Sequence, residues 1–569
     1  MLKGAIAAGL VLALVAAPAA GAASPKRPKL EAFSSCKQLV SYAKKHVPRS
    51  RTRPKLVGET LPAPTPQQDG TRAPATGGGE TPDFSPTNNQ EAGVDEPDVV
   101  KTDGRRIFAA VDGTLHVFDA TTNARSGSVK LGGSDHELFL AGNRVLAVGA
   151  PGGVRPSTVV GAPVGEEETT ISEVDVTGAP KVVRTQEVDG NYVSARMSGT
   201  TARVVIHSQP RAEYELPRLR SRTTGWLPSS KTGAPKVRKG AGGKAVPCNE
   251  VRRATVFSGL DVLTVLSIDM SKGLPAVDSD AVMTNAQTTY ASQTGLFLTT
   301  ERGEDQTAIH RFDVSKAGES AYTGSGSVTG TVLNQFSLSE RDGFLRVATT
   351  GTDGDASESA VTVLDSSLNR VGRVGGLGKG ERIYSVRFIG DRGYVVTFRQ
   401  TDPLYTLDLS NNAAPRVTGE LKIRGFSSYL HPISDTQLIG VGQDATDQGQ
   451  TLGTQLSLFD VSNPAAPARI AQRTLGSDVS SQAEYDHKAF LWWAPARLAV
   501  IPVARNGSSG AIGFGVDAGG INETGRLAHT QAEVTRTFVV GDRLFSLSSA
   551  GLGASTVPDL APVAFTAIP

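Results

Sequence analysis

Alternating apolar and polar residues, interrupted by short turn signals, recur along most of the chain. The clearest example is residues 382–421, where one alternating run ends at Gly390, the chain turns, and a second run returns. A third run follows Pro403, and a polar turn that ends in Pro415 precedes a fourth. The pattern predicts four antiparallel strands, at 383–389, 394–398, 404–409 and 416–421. One such sheet cannot bury both faces alone, so copies are expected to pack face to face around an axis.

A short phrase, an apolar residue followed by Asp, Val and Ser, supports this repeat. It stands at 312–315 and 459–462, and a variant stands at 407–410. The aspartates of this phrase and of its variants are spaced about 43 to 56 residues apart. Most propellers have about four to eight blades. The sequence therefore predicts an all-β fold, a single β-propeller of about eight four-stranded blades, with a range of seven to nine. Nine candidate hairpins can be placed, at 98–131, 138–148, 193–206, 290–299, 336–349, 382–398, 429–441, 490–501 and 538–547.

The first residues have the pattern of an export signal. Residues 1–23 combine Lys3, an apolar run and a small-residue cleavage pattern, which predicts a signal peptide and a secreted or cell-envelope protein. No later apolar run is long enough to span a bilayer, so no transmembrane segment is expected in the mature chain. Lipid attachment at Cys36 is disfavoured because Phe33 stands where an apolar aliphatic residue is usual.

Two segments precede the predicted propeller, and one interrupts it. Residues 24–48 predict a short helix, capped by Ser34 or Ser35 and ended by Pro48. Residues 49–90 are rich in Pro, Gly, Thr and Gln, a composition that predicts a disordered linker. The propeller is then expected over 91–569, with a basic, aperiodic insertion on its surface at about 210–253.

The net charge of +2 conceals an uneven distribution. Residues 26–55 hold about ten Lys and Arg against one Glu, and residues 211–253 hold about eleven against three acids, so the rest of the chain is acidic. Solvated linker charge explains this pattern; the alternatives are a basic arm that binds an anionic envelope polymer or the protein's own acidic face. Nucleic acid is disfavoured as a partner, because few aromatic residues stand among the basic ones.

Candidate catalytic or ligand-binding side chains are few. Arg387 and His431 occupy matching positions in predicted inner strands, which border the channel of a propeller, and Asp486-His487 invites a similar interpretation. The alternative is that these side chains bind backbone carbonyls between blades. The eight His residues form no close pair of the kind a zinc site on one element needs. Three Trp residues are too few for a quinone-dependent dehydrogenase propeller.

Four carboxylates beside a glycine turn are candidate calcium ligands. Asp95, Glu96, Asp98 and Asp103 fall within nine residues, and Ca²⁺ accepts irregular sets of six to eight oxygen ligands. The spacing is not that of an EF-hand. An ordinary turn paired with Lys101 or Arg105 is the alternative, so no cofactor is predicted and calcium is kept as a hypothesis.

Several stretches resemble one family of bacterial and archaeal secreted proteins, described as having a C-terminal β-propeller distantly related to WD-type repeats. The resemblance covers about residues 36–569 and implies a propeller and export. It implies no activity, because the family's function is uncharacterised. The stretches are 88–104, 334–337, 345–350, 386–390, 401–404, 428–432 and 486–490.

Cys36 and Cys248 are expected to form a disulfide. An exported chain enters an oxidising compartment, two is the smallest even number of Cys, and both lie outside the predicted repeats. Two buried or intermolecular thiols are the alternative.

For function, the sequence favours a monomeric binding or scaffold module over an enzyme, with an unknown protein or envelope polymer as partner. The alternative is an extracellular hydrolase or lyase that acts in the channel. A pocket with inward-facing His, Asp and Arg would favour the enzyme, and a flat face would favour the module.

Overall fold

The computed structural model describes residues 29–47 and 84–569, apart from the internal ranges given next. Those ranges are 151–167, 212–216, 237–241, 286–287, 303–304, 354–355, 399–401, 447, 506–507, 518–519 and 531. The predicted signal peptide and residues 49–83 of the predicted linker lie outside the described residues.

Nine sheets follow one another along the chain, and each contains four antiparallel strands paired in chain order. The predicted all-β propeller is confirmed, and the blade number is nine, at the upper end of the predicted range. All nine candidate hairpins are blades. The predicted strands of 382–421 are confirmed to within a few residues at each end.

Of the first three blades, the second and third carry additions to the four-stranded plan. The first blade consists of Val100–Thr102, Arg106–Val111, Thr114–Asp119 and Arg125–Lys130. The second consists of Ser134–Ala141, Arg144–Ala150, Glu168–Asp175 and Lys181–Asp189, extended at its outer edge by Ser229–Gly233 and Gly243–Lys244. The third consists of Asn191–Ser198, Thr201–Ser208, Val262–Asp269 and Asp278–Met283, extended by Val251–Ala254 and Leu30–Ala32.

The next three blades keep the plain four-stranded plan. The fourth consists of Thr288–Ala291, Gly295–Glu301, Gln306–Asp313 and Ala321–Thr329. The fifth consists of Leu338–Arg341, Phe344–Asp353, Ala356–Leu364 and Arg370–Leu377, and a short 3-10 helix, Gln335–Ser337, precedes it. The sixth consists of Arg382–Ile389, Arg392–Phe398, Asp402–Asp408 and Arg416–Ile423.

The eighth blade departs from the plan because its first strand is split. The seventh consists of Phe426–Ser434, Gln437–Ala445, Thr451–Asp460 and Ala468–Thr474. The eighth consists of Val479–Ser480 and Leu491–Trp493, which both pair with Leu498–Arg505, then Ser508–Asp517 and Gly520–Ala528. The ninth consists of Val534–Val540, Arg543–Ser548, Gly551–Thr556 and Pro562–Ala567. The other 3-10 helices are Pro217–Ser221, Thr223–Gly225, Gln482–Glu484, His487–Ala489 and Ala494–Ala496.

Apolar side chains fill the space between every pair of neighbouring blades. The closing joint shows this, because Ile107 and Phe118 of the first blade pack with Phe545 and Leu552 of the ninth. Equivalent clusters join each blade to the next around the ring. The alternating pattern of the sequence thus gives each sheet two apolar faces, and burial of both faces requires the ring.

The recurring Asp of the sequence phrase closes the turn between the third and fourth strands. Asp408 Oδ1 accepts hydrogen bonds from the Ser410 N–H at 3.0 Å and the Ser410 hydroxyl at 2.6 Å. Asp313 and Ser315 form the same pair of bonds. Such Asx-type turns favour this order of residues, which explains why the phrase recurs. The Ser410 bonds lower the pKa of Asp408 to about 2.

Arginines near the start of the second strands join one blade to the next. Each donates to a carbonyl just after the third strand of the following blade, so the same turn that holds the Asp also accepts the arginine. The pairs are Arg106 with Val176, Arg203 with Val314, Arg392 with Val461 and, across the closing joint, Arg543 with Thr121.

The N-terminal helix, Cys36–His46, docks on the insertion beside the third blade. Ser35 caps it by accepting from the Gln38 N–H at 3.2 Å, as one of the two predicted caps. Its apolar face packs on a small core that includes Trp226 and Val246. The Cys36–Cys248 disulfide is confirmed, with a Cα separation of 5.2 Å.

The structure differs from the sequence-based boundaries in two places. Residues 84–90, assigned to the linker from their composition, contact the ring, because their polar side chains bind blade carbonyls. The insertion is not wholly aperiodic, since Ser229–Gly233 and Val251–Ala254 extend two blades. The basic segments also meet, because Lys44 Nζ donates to Ser221 Oγ at 3.0 Å.

Candidate functional site

One segment, residues 84–98, crosses the central channel and is called the strap below. It contacts the ninth, eighth, seventh, fifth, fourth, third and second blades in turn, and then enters the first. The contacts join Ser85 to Val539, Asn88 to Phe490 and Tyr429, Gln90 to Gln335, Glu91 to Tyr290, Asp95 to Met197 and Asp98 to Leu138. The strap therefore lies across the channel and separates its two ends.

The centre of the strap is a buried carboxylate, Glu96. Its carboxyl accepts from the Gln90 N–H at 2.8 Å and lies 3.5 Å from His487 Nε2 and 3.8 Å from Arg196. Burial alone would raise the pKa of Glu96, but the charge of Arg196 and the His487 contact outweigh burial and hold that pKa well below its ordinary value. Glu96 is therefore ionised wherever the protein is folded at ordinary pH.

A second buried ionic group lies beside the first. Arg536 pairs with Asp98 at 2.7 Å and with Asp486 at 2.6 Å, and all three side chains are about 5% exposed or less. Lys488 Nζ pairs with Glu137 at 2.5 Å. Burial opposes the charge on Arg536, but the two carboxylates raise its pKa. The strap is thus tied to the ninth blade through Asp98 and Arg536, and the same ionic group joins the eighth blade to the ninth and the second.

Each of the four candidate calcium ligands has a cationic partner of its own. The pairs are Asp95 with Lys101 at 2.7 Å, Glu96 with Arg196 at 3.8 Å, Asp98 with Arg536 at 2.7 Å and Asp103 with Arg106 at 2.8 Å. Within the described part of the chain, no three His, Cys, Asp or Glu side chains are placed to hold a metal ion. This pairing agrees with the alternative to calcium, an ordinary turn whose acids pair with nearby cations. The partner of Asp103 is Arg106, however, and not Arg105. Calcium binding by these residues stays a prediction.

A cavity of about 1280 Å³ opens above the strap, where the first strands of the fifth, sixth and seventh blades end. The strap forms its floor. Aromatic and apolar side chains form much of its wall, among them Phe336, Phe388, Phe490, Trp492 and Trp493. A concave, mostly apolar site with a few polar groups is typical of small-molecule binding sites in proteins.

Two of the three candidate residues, Arg387 and His431, line this cavity. They occupy matching positions on the first strands of neighbouring blades, and each is only 3% exposed. The Arg387 guanidinium lies 5.4 Å from the centre of the Phe336 ring. Burial, and the positive charge of Arg387, hold the pKa of His431 well below its ordinary value, so the imidazole is neutral.

The third candidate, His487, does not line the cavity; it lies beside Glu96 of the strap. It is 2% exposed, faces Glu96, and packs edge-on against Phe336. Burial lowers the pKa of His487 despite the nearby Glu96. The structure therefore brings Arg387 and His431 together at the cavity and places His487 in the ionic group beneath it.

A chain of hydrogen bonds runs from the strap to His431. The Asn88 amide nitrogen donates to the carbonyls of His487 and Phe490, each at 3.0 Å, and lies 3.4 Å from the Tyr429 hydroxyl. The Tyr429 hydroxyl lies 2.7 Å from His431 Nδ1. The strap thus positions the histidine that faces the cavity.

Sequence reasoning missed most members of this site. Asn88 and Tyr429 stand in stretches that carry the family resemblance, and those stretches meet at the channel in the folded chain. The resemblance of both stretches to one family could have indicated a shared site. Their contact, however, is seen only in the folded ring. Trp492 and Trp493 were counted only to exclude a class of dehydrogenases, although adjacent aromatic residues at a predicted inner strand indicate a channel wall.

The chain is similar to proteins of other organisms. An uncharacterised protein of Archaeoglobus fulgidus is 29% identical over 489 residues, which cover 74% of this chain and 76% of that protein. An uncharacterised protein of Methanocaldococcus jannaschii is 45% identical over 181 residues, 31% of this chain and 28% of that protein. Among solved structures, apo AztD from Citrobacter koseri is 12% identical with a TM-score of 0.35, covering 81% of this chain and 94% of that one.

A sequence model of one protein family matches nearly the whole described ring. The match spans residues 84–560, so it includes the strap and all nine blades except the last strand of the ninth. The chain belongs to the beta propeller domain family.

Proposed function

We propose that this protein is an exported binding module that holds a small molecule in the cavity above the strap. The cavity itself is the observation that carries the proposal: it is concave, closed below by the strap, and walled by aromatic side chains with Arg387 and His431 among them. A flat face would suit a protein partner better than a cavity of about 1280 Å³ does.

The buried carboxylates support binding over hydrolysis. A general acid or base must reach the substrate with a free proton or lone pair. Asp95 and Asp98 line the cavity, but Lys101 and Arg536 engage them. The pocket with inward-facing His, Asp and Arg that would favour an enzyme is therefore present in outline, while Asp95 and Asp98 are each paired with a cation.

A cavity-filling variant tests the binding proposal. Ala494 lines the cavity at an exposed position, so Ala494→Trp is expected to obstruct part of the cavity and leave the fold intact. Ala414→Trp is the matched control, because Ala414 is exposed on the outer turn of the sixth blade. Ligand-observed NMR with a fragment library measures binding to both variants and to the wild type.

Fragments that bind the wild type should be lost with Ala494→Trp and kept with Ala414→Trp. Fragments that bind all three proteins equally would place binding outside the cavity and overturn the proposal. Time-dependent product signals from ester or amide fragments, lost only in the Ala494→Trp variant, would favour the hydrolase alternative.

Export is supported by the disulfide, since stable disulfides are typical of oxidising compartments. Among the described residues, no helix is both long and apolar enough to cross a bilayer. Mass spectrometry of the protein from the culture fluid or envelope fraction checks export, with a new N-terminus after the first 20 or so residues as the expected result. The monomeric state and the protein or envelope-polymer partner stay predictions.

A further inference from the structure

One nitrogen in the cavity wall has no partner within the protein. His431 Nε2 is buried, and none of the described residues forms a hydrogen bond with it. The other ring nitrogen, Nδ1, is engaged by the Tyr429 hydroxyl at 2.7 Å. Buried polar groups in proteins are nearly always hydrogen-bonded, so an unmet one in a cavity wall is a point at which a water or a ligand atom can bind.

The Tyr429 hydroxyl bears on the hydrogen-bonding role of this nitrogen. It lies 2.7 Å from His431 Nδ1 and 3.4 Å from the Asn88 amide nitrogen, whose NH₂ group donates to the His487 and Phe490 carbonyls. A neutral imidazole that accepts the hydroxyl hydrogen at Nδ1 carries its own hydrogen on Nε2. In that tautomer His431 Nε2 donates to an acceptor in the cavity.

Arg387 brings a positive charge to the same wall. It precedes His431 by one blade at the matching strand position, and both side chains line the same cavity. A guanidinium binds carboxylates through parallel N–H groups. One guanidinium and one neutral N–H supply a single positive charge, which suits a carboxylate better than a doubly charged phosphate.

We propose that the ligand of this cavity is a carboxylic acid with an apolar or aromatic body, and that its carboxylate accepts hydrogen bonds from His431 Nε2 and Arg387. The body lies against Phe388, Trp492 and Trp493. Asn88 and Tyr429 are positioning residues, since they act through His431. This inference rests on the proposed function and adds the chemical class of the ligand to it.

Three matched probes test the ligand class: 4-phenylbutyrate, its neutral amide, and 4-phenylbutan-1-ol. Binding is measured by tryptophan emission, since two of the three Trp residues line the cavity, and by ligand-observed NMR. The acid should bind at least about tenfold more tightly than the amide, because one charge-assisted hydrogen bond contributes about that much. The phosphonate analogue should bind more weakly than the acid.

Variants test which side chains bind the carboxylate. Arg387→Gln and His431→Phe should each weaken the acid about tenfold and the amide clearly less, because only the acid forms charge-assisted bonds. His431→Gln should restore part of the affinity because its amide also donates. Arg416→Gln is the matched control, on the exposed outer strand of the same blade. The ¹⁵N shifts of His431 should report hydrogen on Nε2 in the wild type, and an Asn88→Ala variant should shift this tautomer balance.

The outcomes separate the two proposals. Equal binding of acid and amide, equal losses for both in the variants, or a hydrogen on Nδ1 would overturn the carboxylate assignment while leaving a small-molecule site. Failure of every probe to change the tryptophan emission or the ligand NMR signals would overturn both. If a variant fails to fold, the acid-to-amide comparison on the wild type still decides.

Discussion

The joints between blades and the strap across the channel hold the same ring in different ways. A joint uses an Asp turn, an arginine that donates to one carbonyl, and an apolar cluster, and these parts recur from blade to blade. The strap occurs once and depends on buried charges, such as Glu96 and Arg536. The loss of one joint contact should therefore cost little stability, because the other contacts of that joint remain. The loss of one strap contact should cost more, because it leaves a charge unpaired in the interior.

The largest expected effect is therefore in the channel. Arg536→Leu leaves Asp98 and Asp486 buried without their cation, and removal of one partner from a buried ion pair costs about 3–5 kcal/mol. The free energy of unfolding, from guanidinium titration followed by circular dichroism, measures the loss. Arg392→Leu is the control in a joint, where the arginine donates to the Val461 carbonyl and about 1 kcal/mol is expected. Equal losses for the two variants would remove the distinction between strap and joints.

A second strap variant tests local opening. Lys101 Nζ binds Thr87 Oγ1 and Asp95 Oδ1, each at 2.7 Å, and the Glu96 carbonyl at 2.6 Å. Lys101→Met removes all three bonds, and about 2 kcal/mol is expected because the lost bonds are charge-assisted. Hydrogen exchange of a peptide that covers the strap should quicken while exchange in the fourth blade stays slow. Uniformly faster exchange in both would mean that the strap and ring open together.

The ring could be predicted from the sequence because its signals repeat. The turn after Asp408 recurs after Asp313 and Asp460, and each copy supports the others. The strap offers no such support, because Gln90 bonds to Gln335 across 245 residues, a separation that no local pattern encodes. The composition of residues 49–90, rich in Pro, Gly, Thr and Gln, placed residues 84–90 in the predicted linker.

The candidate site was predicted only in part for the same reason. Arg387 and His431 were found because matching positions in two repeats can be compared by eye. Glu96 and Asp98 were found as carboxylates, but their partners Arg196 and Arg536 lie in the third and ninth blades. Only the closed ring brings those cations to the strap, so the calcium hypothesis arose from acids considered without their counter-charges.

Acid should weaken the ring before it weakens the strap. Burial holds the pKa of His310 in the fourth blade at about 3, whereas an unfolded histidine has a pKa near 6.5. As the pH falls below 6.5, the unfolded state takes up a proton that the folded state does not, so stability is lost, by about 2 kcal/mol for this residue between pH 7 and 5. Glu96 contributes stability that is present above its unfolded pKa of about 4.5, so the strap keeps that charge through this window.

The measurement is the unfolding free energy of the wild type and His310→Gln at pH 7, 6 and 5. The variant should lose less than the wild type on acidification, while hydrogen exchange in the strap changes little relative to the ring. A variant whose pH dependence equals that of the wild type would show that His310 is protonated in the folded protein.

The smallest effects are expected in the outer turns, and their additivity is the sharpest contrast with the strap. Ser271, Ser315 and Ser410 each donate a hydroxyl hydrogen bond at 2.6 Å to the Asp of their own turn. Each Ser→Ala change should cost about 0.5 kcal/mol, since the Asp keeps its hydrogen bond from the backbone N–H of the turn. The three turns belong to different blades, so the triple variant should lose the sum, about 1.5 kcal/mol.

Lys101→Met combined with Asn88→Ala should instead lose less stability than the sum of the two single variants, because either change opens the same strap. A triple variant far from additive, or an additive strap pair, would contradict the division of the ring into independent joints and one cooperative strap.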